Sequence, residues 1–183
     1  MAEGRVVAVN GARQSGKTEL LRLLQPAVGG TLSTLDDQTM LDHAKRDPFG
    51  FVTGFPSPHF IDEVQRGGDP VLIAVKRQVD EDRRPGQFVL AGSTRLLTEP
   101  RLSESLAGRV RLVDLWPLSQ GEIAMQRESL VLDCFHQPHR VAERYRSAEP
   151  FTRRQIFERV VIGGFPEANL RGQRGAEAAL LVG

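Results

Sequence analysis

Short apolar runs alternate with amphipathic stretches along the chain as far as residue 115. Runs of this length, separated by helical stretches, are typical of the buried strands of a parallel sheet. The pattern therefore predicts an α/β fold in which five parallel strands carry helices on both faces. The predicted strands are Val6–Asn10, Thr31–Leu35, Phe60–Asp62, Phe88–Ala91 and Val110–Leu115.

The stretches between these strands carry helix signals. Pro26 is expected to stop the first helix, because proline lacks the N–H that the next turn needs. Pro70 follows Asp69 as proline often follows a capping residue, so Asp69 is expected to cap the third helix. That helix carries three apolar residues on one face, Leu72, Val75 and Val79. The predicted helices are Lys17–Gln25, from Asp36 or Asp37 to about Arg46, from Asp69 to before Arg83, and 101–107.

The pattern changes after Trp116 and Pro117. Two capping boxes follow, Ser119 with Glu122 and Thr152 with Gln155, and no strong strand pattern appears. We therefore expect two parts, an α/β core over residues 1–116 and a small helical lid over residues 117–183.

Composition and charge narrow the function. The 183 residues carry a net charge of +1, which gives no general electrostatic case for nucleic-acid binding. A single cysteine excludes an internal disulfide framework. The chain lacks a secretory signal and an apolar run long enough to span a membrane, so a cytoplasmic protein is expected.

A glycine-rich loop follows the first predicted strand and precedes the first predicted helix. Its residues match G-x-x-x-x-G-K-[ST], in which backbone N–H groups and a helix N-terminus surround a phosphate. Lys17 is then expected to reach the β- and γ-phosphates, and Thr18 to bind Mg²⁺. The alternative is a chance match in a turn. The predicted phosphate-binding residues are Gly11, Ala12, Arg13, Gln14, Ser15, Gly16, Lys17 and Thr18.

Two adjacent carboxylates end the third predicted strand. Asp62 is expected to hold Mg²⁺ through water, while Glu63 orients and deprotonates the attacking water. The alternative is a strand that ends in a solvated acidic turn. The apolar run before the pair is only two residues long, because His59 precedes it.

Two further candidates come from later in the chain. Ser93 or Thr94 follows the fourth predicted strand and can contact the γ-phosphate or the water, although either residue can also simply open a turn. Arg109 precedes the fifth strand and can stabilise transition-state charge, supplied within the chain or from a neighbouring subunit. A solvated or structural arginine is the alternative at that position.

Together the glycine-rich loop, the acid pair and the later motifs resemble those of the AAA-type P-loop ATPases of bacteria and archaea that carry an uncharacterised C-terminal domain. The resemblance implies ATP and Mg²⁺ as ligands, Asp62 and Glu63 as the metal and base carboxylates, Ser93 as a sensor, and Arg109 as a functional arginine. Members continue past GGFPEA, so we expect this chain to lack the C-terminal domain. The matching strings are NGARQSGKT (10–18), LDD (35–37), FIDEVQR (60–66), LAGSTRLL (90–97), LSESLAGRV (102–110), LWPLSQGEI (115–123) and GGFPEA (163–168).

Two weaker patterns do not predict a functional site. Cys134, His136 and His139, with Asp133, have too few thiols and the wrong spacing for a structural zinc site. The arginines between residues 140 and 159 interleave with glutamates, which is typical of a solvated helix face and not of a nucleic-acid surface.

Three functions stay open from the sequence. The first is Mg²⁺-dependent ATP hydrolysis that serves an unidentified protein client, with homo-oligomer formation as a further expectation. The second is a nucleotide-dependent switch or interaction module with little hydrolysis. The third is a small-molecule kinase.

Overall fold

The computed structural model of the protein describes residues 4–93, 108–147 and 150–170. The chain divides into two compact units, with the boundary between Trp116 and Pro117. The first unit contains the sheet, and the second unit is helical in the residues described.

The first unit is built on five parallel strands, as predicted. The strands lie in the order β2-β3-β4-β1-β5, so β4 separates β1 from β3. Their bounds are β1 Val6–Gly11, β2 Thr31–Thr34, β3 His59–Asp62, β4 Phe88–Ser93 and β5 Val110–Leu115.

Successive side chains of a strand point to opposite faces of the sheet, so the strands contribute to two separate apolar cores, one on each face. On one face the sheet packs against the helices that follow β2 and β3. Its central residues are Val6, Ala8, Ile61, Phe88 and Leu90. On the other face it packs against Leu21 of the first helix, and the strand residues there are Val9, Phe60, Val89 and Ala91. Helices therefore cover both faces, in agreement with the predicted fold class.

Four helices accompany the described strands of the first unit. They are α1 Lys17–Val28, α2 Gln38–Arg46, α3 Pro48–Thr53 and α4 Gly68–Glu81. The predicted helix 101–107 lies outside the described residues.

Two predicted helix boundaries were wrong. Pro26 lies inside α1, because in the last turn its missing N–H removes only one backbone bond and the helix ends soon afterward at Gly29. Asp69 lies within the first turn of α4, since a 3₁₀ turn over Val64–Gly67 leads directly into the helix at Gly68. The prediction that Asp37 can cap α2 is confirmed, because its carboxylate accepts a hydrogen bond from the Met40 N–H.

Helix α3 was not predicted. Asp47 caps it by accepting a hydrogen bond from the Gly50 N–H at 2.8 Å, and Pro48 occupies a first-turn position. The Asp-Pro pair is a helix-start signal that was present in the sequence.

The second unit consists of short helices in its described residues. Both predicted capping boxes are confirmed, at Ser119 and at Thr152. Many apolar side chains of this unit are exposed, with Phe135 and Val161 both above 80%. The helices are α5 Gln120–Ile123, α6 Leu130–His136, α7 Pro138–Ser147 and α8 Arg153–Ile162.

None of the helices within the described ranges has both the length and the apolar character needed to cross a bilayer.

Candidate nucleotide site

The carboxyl ends of the central strands bring the predicted site residues to one edge of the sheet. Gly11 at the end of β1 lies beside Ser93 at the end of β4. Ile61 of β3 pairs with Leu90 of β4, so Asp62 ends its strand on the other side of β4. In open α/β sheets ligands bind outside this edge, near the strand where the order of connections reverses. We call this edge of the sheet, at the carboxyl ends of the strands, the carboxyl edge.

The loop over residues 11–18 has a backbone that its sequence explains. Gly16 ends the loop at φ +99°, a conformation that favours glycine, and it directly precedes the first turn of α1. Gln14 also has a positive φ, of 65°, which costs about 1 kcal/mol for a residue with a side chain. At Gly11 a β-carbon would lie 2.6 Å from the Leu115 carbonyl oxygen and 2.8 Å from Ser15 Oγ, so the position has no room for a side chain.

Lys17 lies inside this loop and is only 5% exposed. Its ammonium group donates hydrogen bonds to the carbonyl oxygens of Gly11, at 3.1 Å, and of Ala12, at 2.8 Å. A buried charge is stable only where polar groups surround it, and here the loop backbone provides them. The positively charged group of Lys17 therefore lies at the centre of the loop.

Thr18 joins the loop to strand β3. Its hydroxyl donates a hydrogen bond of 2.7 Å to Asp62 Oδ2, although the two residues are 44 positions apart. Asp62 is 2% exposed, and its other oxygen accepts from the Glu63 N–H at 3.0 Å. The two predicted metal residues are thus in direct contact.

Glu63 leaves β3 in the left-handed conformation, at φ 51° and ψ 38°. This conformation costs about 1 kcal/mol for a residue other than glycine, and such strain is found at functional sites. The side chain of Glu63 accepts a hydrogen bond from the amide of Gln65, a residue for which no separate role was predicted. The sequence pattern did not indicate this contact, because the contact depends on the left-handed backbone of Glu63 and not on a regular strand.

The residues present fit a phosphate and a divalent cation. The first N–H groups of α1 have no partners within the helix, and its N-cap is a glycine without a capping side chain. Ser15 Oγ is buried and, within the described residues, has no hydrogen-bond partner. The hydroxyl of Thr18 and the carboxylate of Asp62 are the oxygen donors that Mg²⁺ takes, with water and substrate phosphates completing its shell.

The structure places the two remaining candidates differently. The Ser93 backbone pairs with Gly11, so this residue ends its strand beside the loop, whereas Thr94 lies outside the described residues. Arg109 precedes β5 and therefore lies at the opposite, amino edge of the sheet, where its guanidinium contacts Asp80 at 2.5 and 3.2 Å.

This position separates Arg109 from the loop within one chain. Strand β5 has six residues, and at about 3.3 Å per residue it spans roughly 20 Å. An arginine side chain is much shorter than that distance. Its supply from a neighbouring subunit stays a prediction.

The residues of the two weaker sequence patterns lie in the second unit. Across residues 4–93, 108–147 and 150–170, no three His, Cys, Asp or Glu side chains form a group able to hold a metal. On α8, Arg154 pairs with Glu158 at 2.8 Å and the Arg159 guanidinium stacks on the Phe151 ring at 4.1 Å.

Comparison with known proteins shows the family to which this chain belongs. The sequence profile of the family described as "AAA domain" matches residues 3–124. This chain belongs to that family, and it is an ATPase-type nucleotide-binding domain with a P-loop fold.

Similar sequences occur in mycobacteria. The chain is 36% identical over 121 residues to Uncharacterized protein Rv2008c of Mycobacterium tuberculosis and to Uncharacterized protein Mb2031c of Mycobacterium bovis. The match covers 64% of this chain and 26% of each relative, so the chain corresponds to about a quarter of their length. Among solved structures, PCH-2 of C. elegans is similar at 16% identity and a TM-score of 0.39, over 72% of this chain and 40% of that one.

Proposed function

We propose that this protein binds ATP together with Mg²⁺ at the carboxyl edge and hydrolyses it. The observation that carries the proposal is the 2.7 Å hydrogen bond between Thr18 Oγ1 and Asp62 Oδ2. A hydroxyl from the phosphate loop and a carboxylate from β3 meet at one point, which is the arrangement that a Mg²⁺ ion bound to nucleotide phosphates requires.

The loop residues 11–18 would hold the phosphates through their backbone N–H groups and Lys17. When bound, Mg²⁺ neutralises charge on the β- and γ-phosphates. Thr18 would bind the ion directly, and Asp62 would hold it through water. These groups position the reactants and stabilise charge, and such effects supply most of the catalysis in phosphoryl transfer.

Glu63 is the proposed general base. A water attacks the γ-phosphorus while its proton passes to the Glu63 carboxylate, and the bond between that phosphorus and the bridging oxygen of the β-phosphate breaks. ADP and inorganic phosphate are the products. Ser93 is proposed to contact the γ-phosphate or the water, and Arg109 to act from a neighbouring subunit.

Release of phosphate from ATP with Mg²⁺ tests this proposal. We expect Glu63→Gln to lower the turnover by about 10² to 10⁴-fold, the usual contribution of a general base, while nucleotide binding persists. Glu81→Gln is the matched control, since Glu81 is an exposed glutamate that pairs with Arg77 on α4.

Each alternative function has its own result in this assay. Turnover by Glu63→Gln that equals the wild-type rate contradicts hydrolysis with this base. Tight nucleotide binding without phosphate release by the wild type indicates the switch, and transfer of the γ-phosphate to an added metabolite indicates the kinase.

A further inference from the structure

Glu63 stands at a turn whose backbone is fixed from several sides. Val64 is fully buried in the apolar core, and a β-carbon on Gly67 would lie 2.6 Å from a methyl group of Val71. The Arg66 N–H donates to the Glu63 carbonyl at 2.9 Å. The 3₁₀ turn after Glu63 therefore has little freedom to move.

The left-handed backbone of Glu63 decides what its side chain meets. In an extended strand the chain would carry Gln65 about 7 Å further along the strand direction. At φ 51° the chain turns back instead, and the amide of Gln65 donates to Glu63 Oε2. The left-handed backbone of Glu63 therefore brings the Gln65 amide to the Glu63 carboxylate.

The Gln65 amide is committed to this contact. Its Oε1 is buried and, in the part of the chain that the structure describes, accepts no hydrogen bond. A buried polar atom without a partner opposes folding, so the placement of this amide does not serve stability alone. Reversal of the amide would set its oxygen against a carboxylate oxygen, two acceptors facing each other, so the N–H must be the group that faces Glu63.

We propose that Gln65 is a positioning residue for Glu63: its amide holds Oε2, so that Oε1 is the oxygen that receives the proton of the attacking water. This inference rests on the proposed hydrolysis with Glu63 as the base. Without the amide, the carboxylate rotates about its terminal bonds and spends less time in the productive orientation.

The test compares kcat and KM for ATP in the wild type, Gln65→Met, Glu63→Gln and the double variant. Methionine keeps the length of the side chain and removes the donor. We expect Gln65→Met to lower kcat by about tenfold with KM and ATP affinity within about twofold of wild type. In the Glu63→Gln background the same substitution should have no further effect, because Gln65 acts only through Glu63.

Two additional variants complete the design. Gln65→Glu has the same shape and sets a second carboxylate beside Glu63, so we expect a larger loss of kcat than in Gln65→Met. Gln38→Met is the control, since the Gln38 amide also donates to a carboxylate, that of Asp42 at 2.7 Å, on the exposed face of α2. It should leave kcat unchanged.

The outcomes separate this inference from the proposed function. If Glu63→Gln is inactive while Gln65→Met has the kcat of the wild type, the positioning role is overturned and hydrolysis stands. An equal loss of kcat from Gln65→Met in both backgrounds, or a loss that appears as weaker ATP binding, also overturns it. If Glu63→Gln turns over at the wild-type rate, the proposed function itself fails.

Discussion

The two edges of the sheet use polar residues in different ways. At the carboxyl edge, Gln14 and Glu63 have positive φ angles, and the oxygens Asn10 Oδ1, Ser15 Oγ and Gln65 Oε1 are buried without hydrogen-bond partners among the described residues. At the amino edge, Arg109 and Arg5 both approach the Asp80 carboxylate.

This difference is expected if the carboxyl edge is the proposed nucleotide site and the ion pairs at the amino edge contribute to stability. Of the four buried polar side-chain atoms without partners among the described residues, three lie at the carboxyl edge and one, His59 Nδ1, lies at the amino edge. Strained backbone and unsatisfied polar atoms oppose folding, and they are common where a ligand binds. Paired charges at the other edge hold the strand β5 and the helix α4 together. The first three predictions each change residues at one of these two edges.

Thr18→Val removes a hydroxyl from the carboxyl edge and keeps the shape of the side chain. The variant loses the hydrogen bond to Asp62 and the proposed Mg²⁺ ligand. We expect the Mg²⁺ concentration for half-maximal ATP binding, measured by calorimetry, to rise by roughly tenfold or more. Thr53→Val is the control, because the Thr53 hydroxyl donates to the Phe49 carbonyl within α3 and contacts none of the predicted site residues among those that the structure describes. An unchanged Mg²⁺ requirement in Thr18→Val would exclude Thr18 as a ligand.

His59, which lies at the amino edge, should make the free energy of unfolding of the protein depend on pH. Burial lowers the pKa of its imidazole from 6.5 to about 4, with a smaller opposing contribution from the backbone of Val52. Its Nε2 lies 3.0 Å from Ser33 Oγ, and among the described residues Nδ1 has no hydrogen bond of ordinary geometry. The folded protein therefore keeps this ring neutral where the unfolded chain protonates it.

The sign of the effect follows from proton binding. Between pH 6.5 and about pH 4 the unfolded chain binds one more proton, so the free energy of unfolding falls as the pH falls, by about 3 kcal/mol in total. Urea unfolding should show this slope in the wild type and in His43→Phe, where His43 is an exposed member of the same aromatic cluster. His59→Phe combined with Ser33→Ala should lose the slope. A variant that retains it would show that another group titrates.

Asp80→Asn should have the smallest effect of the three. Hydrogen bonding from Arg109 is the main reason that the pKa of the Asp80 carboxyl lies below its usual value. The pair therefore stabilises the fold at neutral pH and loses that contribution as the carboxylate protonates in acid. Because both groups are partly exposed, we expect a small fall in the urea midpoint that disappears in ~1 M salt. A large fall that persists in salt would mean that Asp80 has a packing role.

Much of the site could be predicted because its parts are short and local in sequence. The spacing from Gly11 to Thr18 specifies the loop, and the apolar run before Asp62 specifies a strand that ends at the same edge. The pairing of Gln65 with Glu63 could not be predicted, since it depends on one left-handed residue. Nothing in the apolar pattern marks that conformation, and periodicity describes only regular backbone.

The amino edge was predicted less well for a similar reason. The position of Arg109 before β5 was correct, but its partner Asp80 lies 29 residues away on α4. Contacts of that kind depend on how a helix packs across the sheet, which side-chain patterns do not specify. His59 interrupts the apolar run before the acid pair, yet it is fully buried, because Ser33 and the aromatic rings around it accommodate a neutral imidazole.

ATP binding by Lys17→Ala, compared with Lys45→Ala, is the most direct test of the nucleotide site. Both variants lose one lysine, but Lys45 is exposed on α2 whereas Lys17 is buried in the loop. Calorimetry with ATP and Mg²⁺ should give an affinity at least about 100-fold weaker for Lys17→Ala, since it loses charge-assisted hydrogen bonds to phosphate, and an unchanged affinity for Lys45→Ala. Equal ATP affinity in Lys17→Ala and the wild type would contradict the assignment of this loop as the phosphate site.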